Sequence, residues 1–317
     1  MSDHFNPFIA KLLRLSFANH WLSYEDAKEK IKANLKNNIP FSYARFGDGE
    51  LHYLKEYFKL AENDLSFIEL RSLGTALPHM SIEAINYHEE IMDIFYERRN
   101  LGHDKIEERN TISLAVGKGI MNALRNSDMI GVCSINEIDD PDNNTLSTHS
   151  YIPQTDLLAK CGVDFKSLVS VKLNRDPIFA NPYEFKELLD RRPIHIMTGH
   201  AYELENVTKI HKILNCDITY TDIPLNPGSP KGFSLYHKEN IIKTLHSIEE
   251  DIVIYALGGF CKDIPSILSK EYGKMVLDFG AVTDAWAGKI TRPYMKDESY
   301  MLIGNPDSII VDDLHGS

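Results

Sequence analysis

Between residues 168 and 279 the chain alternates short apolar runs with stretches of helical spacing, and this alternation constrains its fold more than any other feature. The runs at 168–173, 193–198, 216–223, 252–257 and 275–279 read as strands. The intervening 182–189 (behind Asn181), 203–214, 235–248 and 260–272 repeat their apolar residues with helical period. Strands joined by helices of about ten residues run parallel through right-handed crossovers, with helices on both faces of the sheet. The expected fold class is therefore α/β, a Rossmann-like three-layer sandwich with a mainly parallel sheet.

The first half of the chain fits the same scheme. Ser23, with Asp26 three residues on, begins a charged helix over 27–37. Alternating apolar and aromatic residues make 39–46 a strand, and 128–135 reads as a buried one. Helical spacing recurs over 51–60, 81–99 and 112–124, 65–77 reads either way, and 137–150 reads as a long surface loop. No repeat or linker divides the 317 residues. The expected organisation is a helical N-terminal extension (1–38), one domain (39–290) and a loop-rich tail (291–317).

Composition removes some functions. A net charge of −12 opposes general nucleic-acid binding, which needs a surplus of Lys and Arg on some face. The four cysteines, Cys133, Cys161, Cys216 and Cys261, have neither zinc-finger nor Cys-x-x-Cys spacing and read as buried thiols in a reducing cytoplasm. No window approaches the roughly 20 apolar residues of a membrane span, and no signal-peptide pattern opens the chain. Residues 7–17 place Lys11 and Arg14 among Phe8, Ile9, Leu12, Leu13 and Leu15; packing on its own domain and peripheral contact at the inner membrane face both fit this segment.

Two blocks carry the chemistry. The first strand ends in Arg45-Phe46-Gly47-Asp48-Gly49-Glu50. Gly47 breaks the strand, and a guanidinium with two carboxylates is then delivered to a strand end, where open α/β sheets hold their ligands. Asp48 also suits the N-cap of a following helix, although a cap gives no reason for Arg45 and Phe46. The second block places Gly258-Gly259 after a strand, with Lys262 close behind, an outline of a diphosphate seat or a tight turn packed for its own sake. Asp278, Gly280 and Asp284 follow the next strand on the same sheet edge. Residues 223–232 are rich in Pro and Gly and offer Asn226 and Lys231 as ligand contacts or as parts of a rigid exposed loop. His195, His200 and His237 stand singly, and each reads as a neutral, hydrogen-bonded histidine. Dinucleotide-binding, Walker, zincin and nucleophile-elbow motifs are absent. Gly117-Lys118-Gly119 only imitates a phosphate loop, and Asp278-Phe279-Gly280 lacks the partners of a kinase metal motif.

Taken together, these residues resemble the bacterial glycosyltransferases of the GT-D fold, formerly a domain of unknown function. The resemblance rests on Arg45 to Glu50 and on Gly258, Lys262, Asp278, Gly280 and Trp286, with residues 223–226 and the helix from 233 following the family's order. It spans 39–286 but is specific only at the two end blocks. It implies a metal-dependent transfer from a nucleoside-diphosphate sugar, UDP above all, to a glycan, lipid-linked or protein acceptor in cell-surface polysaccharide or glycoprotein synthesis, at the cytoplasmic face. Asp48 and Glu50 would hold Mn2+ or Mg2+. Arg45, Phe46, Gly47, Asn226, Gly258, Gly259, Lys262 and Asp278 would bind the donor, and Asp284 would stand as general base. The sequence departs from the family pattern in Ala281-Val282-Thr283-Asp284, which leaves one acid and no His, and in Pro-Gly-Ser-Pro-Lys after Asn226. Two other classes remain open: a methyltransferase using S-adenosylmethionine at Gly258-Gly259, and a silent sugar-nucleotide-binding module.

Overall fold

The computed structural model describes residues 21–47, 50, 53–54, 57–58, 106–132, 158, 161–199, 208–222, 235–289, 295 and 299–301. Among these, seven strands form one sheet: β1 (Phe41–Arg45), β2 (Met129–Val132), β3 (Leu168–Ser170), β4 (Ile194–Thr198), β5 (Ile218–Asp222), β6 (Ile252–Ala256) and β7 (Met275–Asp278). Their order is β3-β2-β1-β7-β6-β4-β5, and every pairing is parallel. The helices are α1 (Tyr24–Asn37), α2 (Ile106–Asn126), α3 (Pro177–Ala180), α4 (Pro182–Leu189), α5 (Thr208–Leu214), α6 (Leu235–Thr244), α7 (Ile264–Tyr272) and α8 (Val282–Trp286).

Both faces of the sheet are covered, which is why its strands read as nearly continuous apolar runs rather than as alternations. Successive side chains still point to opposite faces. Phe41, Tyr43, Ile194, Ile196, Ile252, Ile254, Met275 and Leu277 join the core packed by α1, α4, α5 and α8. Met197, Val253, Tyr255 and Val276 join the core packed by α2, α6 and α7. The result is three layers with two cores, and each fully buried Ile or Leu in them contributes about 1.5–3 kcal/mol.

The helix ends follow their sequence signals. The Ser23 hydroxyl oxygen accepts from the Asp26 N–H at 3.1 Å, and α1 closes at left-handed Asn38. Its Ala27, Ile31 and Leu35 are buried against the sheet, so this part of the N-terminal extension is integral to the core. Asp176 and Asn181 cap α3 and α4, each just before a proline in the first turn, where the missing N–H costs nothing.

Differences from the sequence reading are local. The strand expected over 168–173 stops at Ser170, whose hydroxyl oxygen accepts from the Lys172 N–H and turns the chain into a 3-10 helix over Val171–Arg175. Gly117 and Gly119 lie inside α2, which begins earlier than its spacing suggested. A Cβ at residue 117 would overlap Tyr57, so that glycine permits close packing. Among the described residues no helix is long and apolar enough to cross a membrane. The segments 65–77, 81–99 and 137–150 lie outside the described residues, as does Cys133. Cys161 and Cys261 are buried, and Cys216 is half-buried, with burial pushing its thiol up to about 11.

Candidate active site

After β1 the chain moves outward across the sheet to β2, whereas from β4 it moves to β5 at the opposite edge. In open α/β sheets such a reversal opens a crevice at the carboxyl ends of the central strands. Here those strands are the neighbours β1, β7 and β6, and the two sequence blocks meet at their ends.

Each strand exit is fixed by backbone hydrogen bonds. Beyond β1, the Phe46 N–H donates to the Gly131 carbonyl of β2 at 2.7 Å, and the Phe46 ring is buried in the core on the α2 side. Beyond β7, the N–H groups of Phe279 and Gly280 both donate to the Tyr255 carbonyl, at 2.9 and 3.3 Å. The Asn174 amide, beyond β3, donates to the Phe279 carbonyl at 2.8 Å. Beyond β6, Gly258 adopts φ 67° and ψ −160°, a region essentially reserved for glycine, and the Tyr255 hydroxyl donates to its carbonyl at 3.2 Å.

Four charged residues converge on this frame. Lys262 Nζ lies 2.7 Å from Asp278 Oδ2 and 3.1 Å from Glu50 Oε1. The other Glu50 oxygen accepts from the Gly47 N–H at 3.0 Å, and the Glu50 side chain lies at van der Waals distance from the space over Gly259. Asp278 Oδ2 also accepts from the backbone N–H of Arg45 at 3.0 Å, joining the ends of β1 and β7. The Arg45 guanidinium occupies the space a side chain at Gly280 would need, and Gly280 has a φ of 51°. The absent side chain there makes room for the guanidinium.

Burial makes these charges expensive. Moving an ion out of water costs several kcal/mol even after relaxation, so charges persist inside only where partners compensate them. Burial alone would push the Glu50 carboxyl up; the Lys262 charge and the backbone N–H bonds outweigh it and hold the group below its ordinary 4.5. Burial alone would lower Lys262; Asp278, then Glu50, hold it above its ordinary 10.5. Glu50 is thus held as a carboxylate and Lys262 as an ammonium at neutral pH, with Asp278 and Arg45 beside them. The turn that carries Lys262 is anchored from below, since Asp263 pairs with Lys238 of α6 at 2.8 Å.

Of the residues singled out in the sequence, Arg45, Gly47, Glu50, Gly259, Lys262, Asp278 and Gly280 are thus brought together. Phe46 is placed beneath them in the core, and Gly258 shapes the turn. Asp284 is partly buried in the first turn of α8. Asp48, Asn226, Lys231 and His200 lie outside the described residues, as does the side chain of His237. Tyr255 was not singled out. Its one signal is a tyrosine in an otherwise aliphatic strand directly before the paired glycines.

No protein-family model matches the chain, and no curated protein matches it in sequence. In structure it matches a chain of the highly conserved domain of unknown function 1792, described as having a distinct glycosyltransferase fold, with a TM-score of 0.51 and 12% sequence identity over 90% of this chain and 84% of that one. The protein therefore has a glycosyltransferase-like fold, and its charged cluster lies on the sheet edge where such α/β folds bind ligands.

Proposed function

We propose that this protein is a metal-dependent glycosyltransferase that moves a sugar from a nucleoside-diphosphate donor, UDP-linked in the first instance, to a glycan or glycoconjugate acceptor of the cell surface, acting at the cytoplasmic side. One observation carries the reading. Arg45 and Glu50 meet Lys262, more than 200 positions further along the sequence, at neighbouring strand ends beside glycine turns that would let a diphosphate approach the backbone.

Departure of the nucleoside diphosphate is the step that needs help, because negative charge builds on the bridging oxygen. Lys262 and Arg45 present fixed positive charge to that oxygen. The backbone at Gly258, where a Cβ would meet nothing within 4 Å, can receive a phosphate closely, and Glu50 lines the space over Gly259. Asp284 is the proposed acceptor of the proton from the attacking hydroxyl, which makes a carboxylate the general base.

Glu50 would serve a divalent ion as one ligand; among the described residues no group of three or more His, Cys, Asp or Glu gathers to hold one. A carboxylate offers about four lone-pair positions, Lys262 and the Gly47 N–H use one on each oxygen, and hard oxygen ligands suit magnesium or manganese. With Asp48, Glu50 would hold the ion, whose chemistry there is neutralisation of diphosphate charge.

A thermal-shift screen of nucleoside diphosphates and their sugars, with and without manganese, tests the reading. The expected result is stabilisation by a UDP-sugar that requires the metal and is lost in Glu50→Gln. Equal stabilisation of both proteins, or stabilisation by S-adenosylmethionine without metal, would overturn it.

A further inference from the structure

The clustered carboxylates are not equivalent. The Glu50 side chain keeps 13% of its surface exposed, whereas that of Asp278 keeps 2%. A single oxygen of Asp278 accepts from both the Arg45 backbone and Lys262. Both of these contacts face inward, one to β1 and one to the ammonium. Lys262 has three N–H donors, of which Asp278 and Glu50 take two, leaving the third for an oxygen arriving from outside. We propose that Asp278 is a positioning residue: it touches no substrate, and it fixes the Lys262 ammonium beside Glu50 and locks the end of β1, so that the donor meets a cation placed before binding. This rests on the glycosyltransferase reading above and assigns Asp278 a role other than donor contact.

Positioning has consequences that direct contact does not. A residue acting only through Lys262 has nothing left to do once Lys262 is gone, so losses from the two sites do not multiply. Asparagine keeps an acceptor but loses the charge. Glutamate keeps the charge but moves it by one methylene.

The experiment is a cycle of Asp278→Asn, Lys262→Met and the double variant, read as kcat and KM for manganese-dependent UDP-sugar hydrolysis, with Asp278→Glu alongside. The expected results are a kcat loss of about 10- to 100-fold in Asp278→Asn, a KM within about threefold of wild type, and a double variant no slower than Lys262→Met. Asp278→Glu also loses kcat, because the placement of the charge matters. Multiplying losses, a loss confined to KM, or wild-type turnover in Asp278→Glu would each overturn the proposal. A second readout needs no turnover: acetylation of Lys262 by acetic anhydride, followed by peptide mass spectrometry. Lys262 should be protected in the wild type and labelled at least about tenfold faster in Asp278→Asn, other lysines unchanged; unchanged labelling overturns the proposal. Released labelling in a protein that turns over no sugar nucleotide would leave Asp278 as the positioning residue while removing the glycosyltransferase reading.

Discussion

Two of the polar clusters buried at the sheet among the described residues solve the same problem differently. At the ends of β1, β7 and β6, Glu50, Lys262 and Asp278 are buried as charges. Toward the opposite ends of β4 and β5, His195 is buried as a neutral ring. The Thr219 hydroxyl donates to Glu250 at 2.6 Å, so its oxygen is free to accept from His195 Nδ1 at 2.7 Å, and Nε2 accepts from the Thr221 hydroxyl at 2.7 Å. Burial pushes His195 below its ordinary 6.5; Glu250 opposes this and Lys274 adds to it. The His195 cluster satisfies its hydrogen bonds without a full charge on the ring, as a structural group does. The other keeps three charges where apolar residues would fold at least as well, and that retained cost marks the end of the sheet where chemistry is expected.

Removing one charge should separate the clusters most sharply. Lys262→Met leaves Glu50 and Asp278 facing each other without the ammonium between them, which should cost about 3–5 kcal/mol in urea unfolding at neutral pH and slow donor hydrolysis at least as much as Asp278→Asn does, with residual turnover still measurable. Part of the stability should return in mild acid, as a carboxylate takes up a proton. Gly280→Ala comes next. It strains a left-handed backbone by roughly 1–3 kcal/mol and displaces the Arg45 guanidinium, so calorimetry should show weaker UDP binding. His195→Leu should cost about 1–3 kcal/mol by stranding the threonine hydroxyls, yet leave kcat unchanged.

The clusters also differ in their response to pH. Because the folded protein holds His195 below its ordinary 6.5, the unfolded chain binds the extra proton first, and stability should fall as pH drops from above 6.5 toward the folded value. Urea titrations should show this slope in the wild type and lose it in His195→Leu. The contribution of Glu50, held below 4.5, should survive that range and disappear only in stronger acid. Tyr255→Phe has the smallest expected effect, about 0.5–1.5 kcal/mol for the hydroxyl bond to the Gly258 carbonyl.

Much of this was legible in the sequence because parallel strands buried on both faces announce themselves as apolar runs, and strand ends in such a sheet share one edge. That reasoning brings Arg45 and Glu50 to Lys262 and Asp278 before any coordinates exist. It does not show which carboxylate faces inward. Asp278 reaches the Arg45 N–H across 233 residues of sequence, and no local pattern encodes the choice. The five-residue α8 is too short to develop a helical period, and the 3-10 turn after Ser170 hides inside an apolar run because it is set by a hydroxyl hydrogen bond. Tyr255 works through its carbonyl as well as its ring, and a backbone role leaves no residue signature.

The most direct test of the central claim is manganese-dependent hydrolysis of a UDP-sugar by the wild type and by Glu50→Gln, which preserves shape and can still accept from the Gly47 N–H. A fall in kcat of about 100-fold or more, in a Glu50→Gln protein still folded at the assay temperature, is expected if Glu50 serves the donor site. Equal turnover by the two proteins would contradict the account.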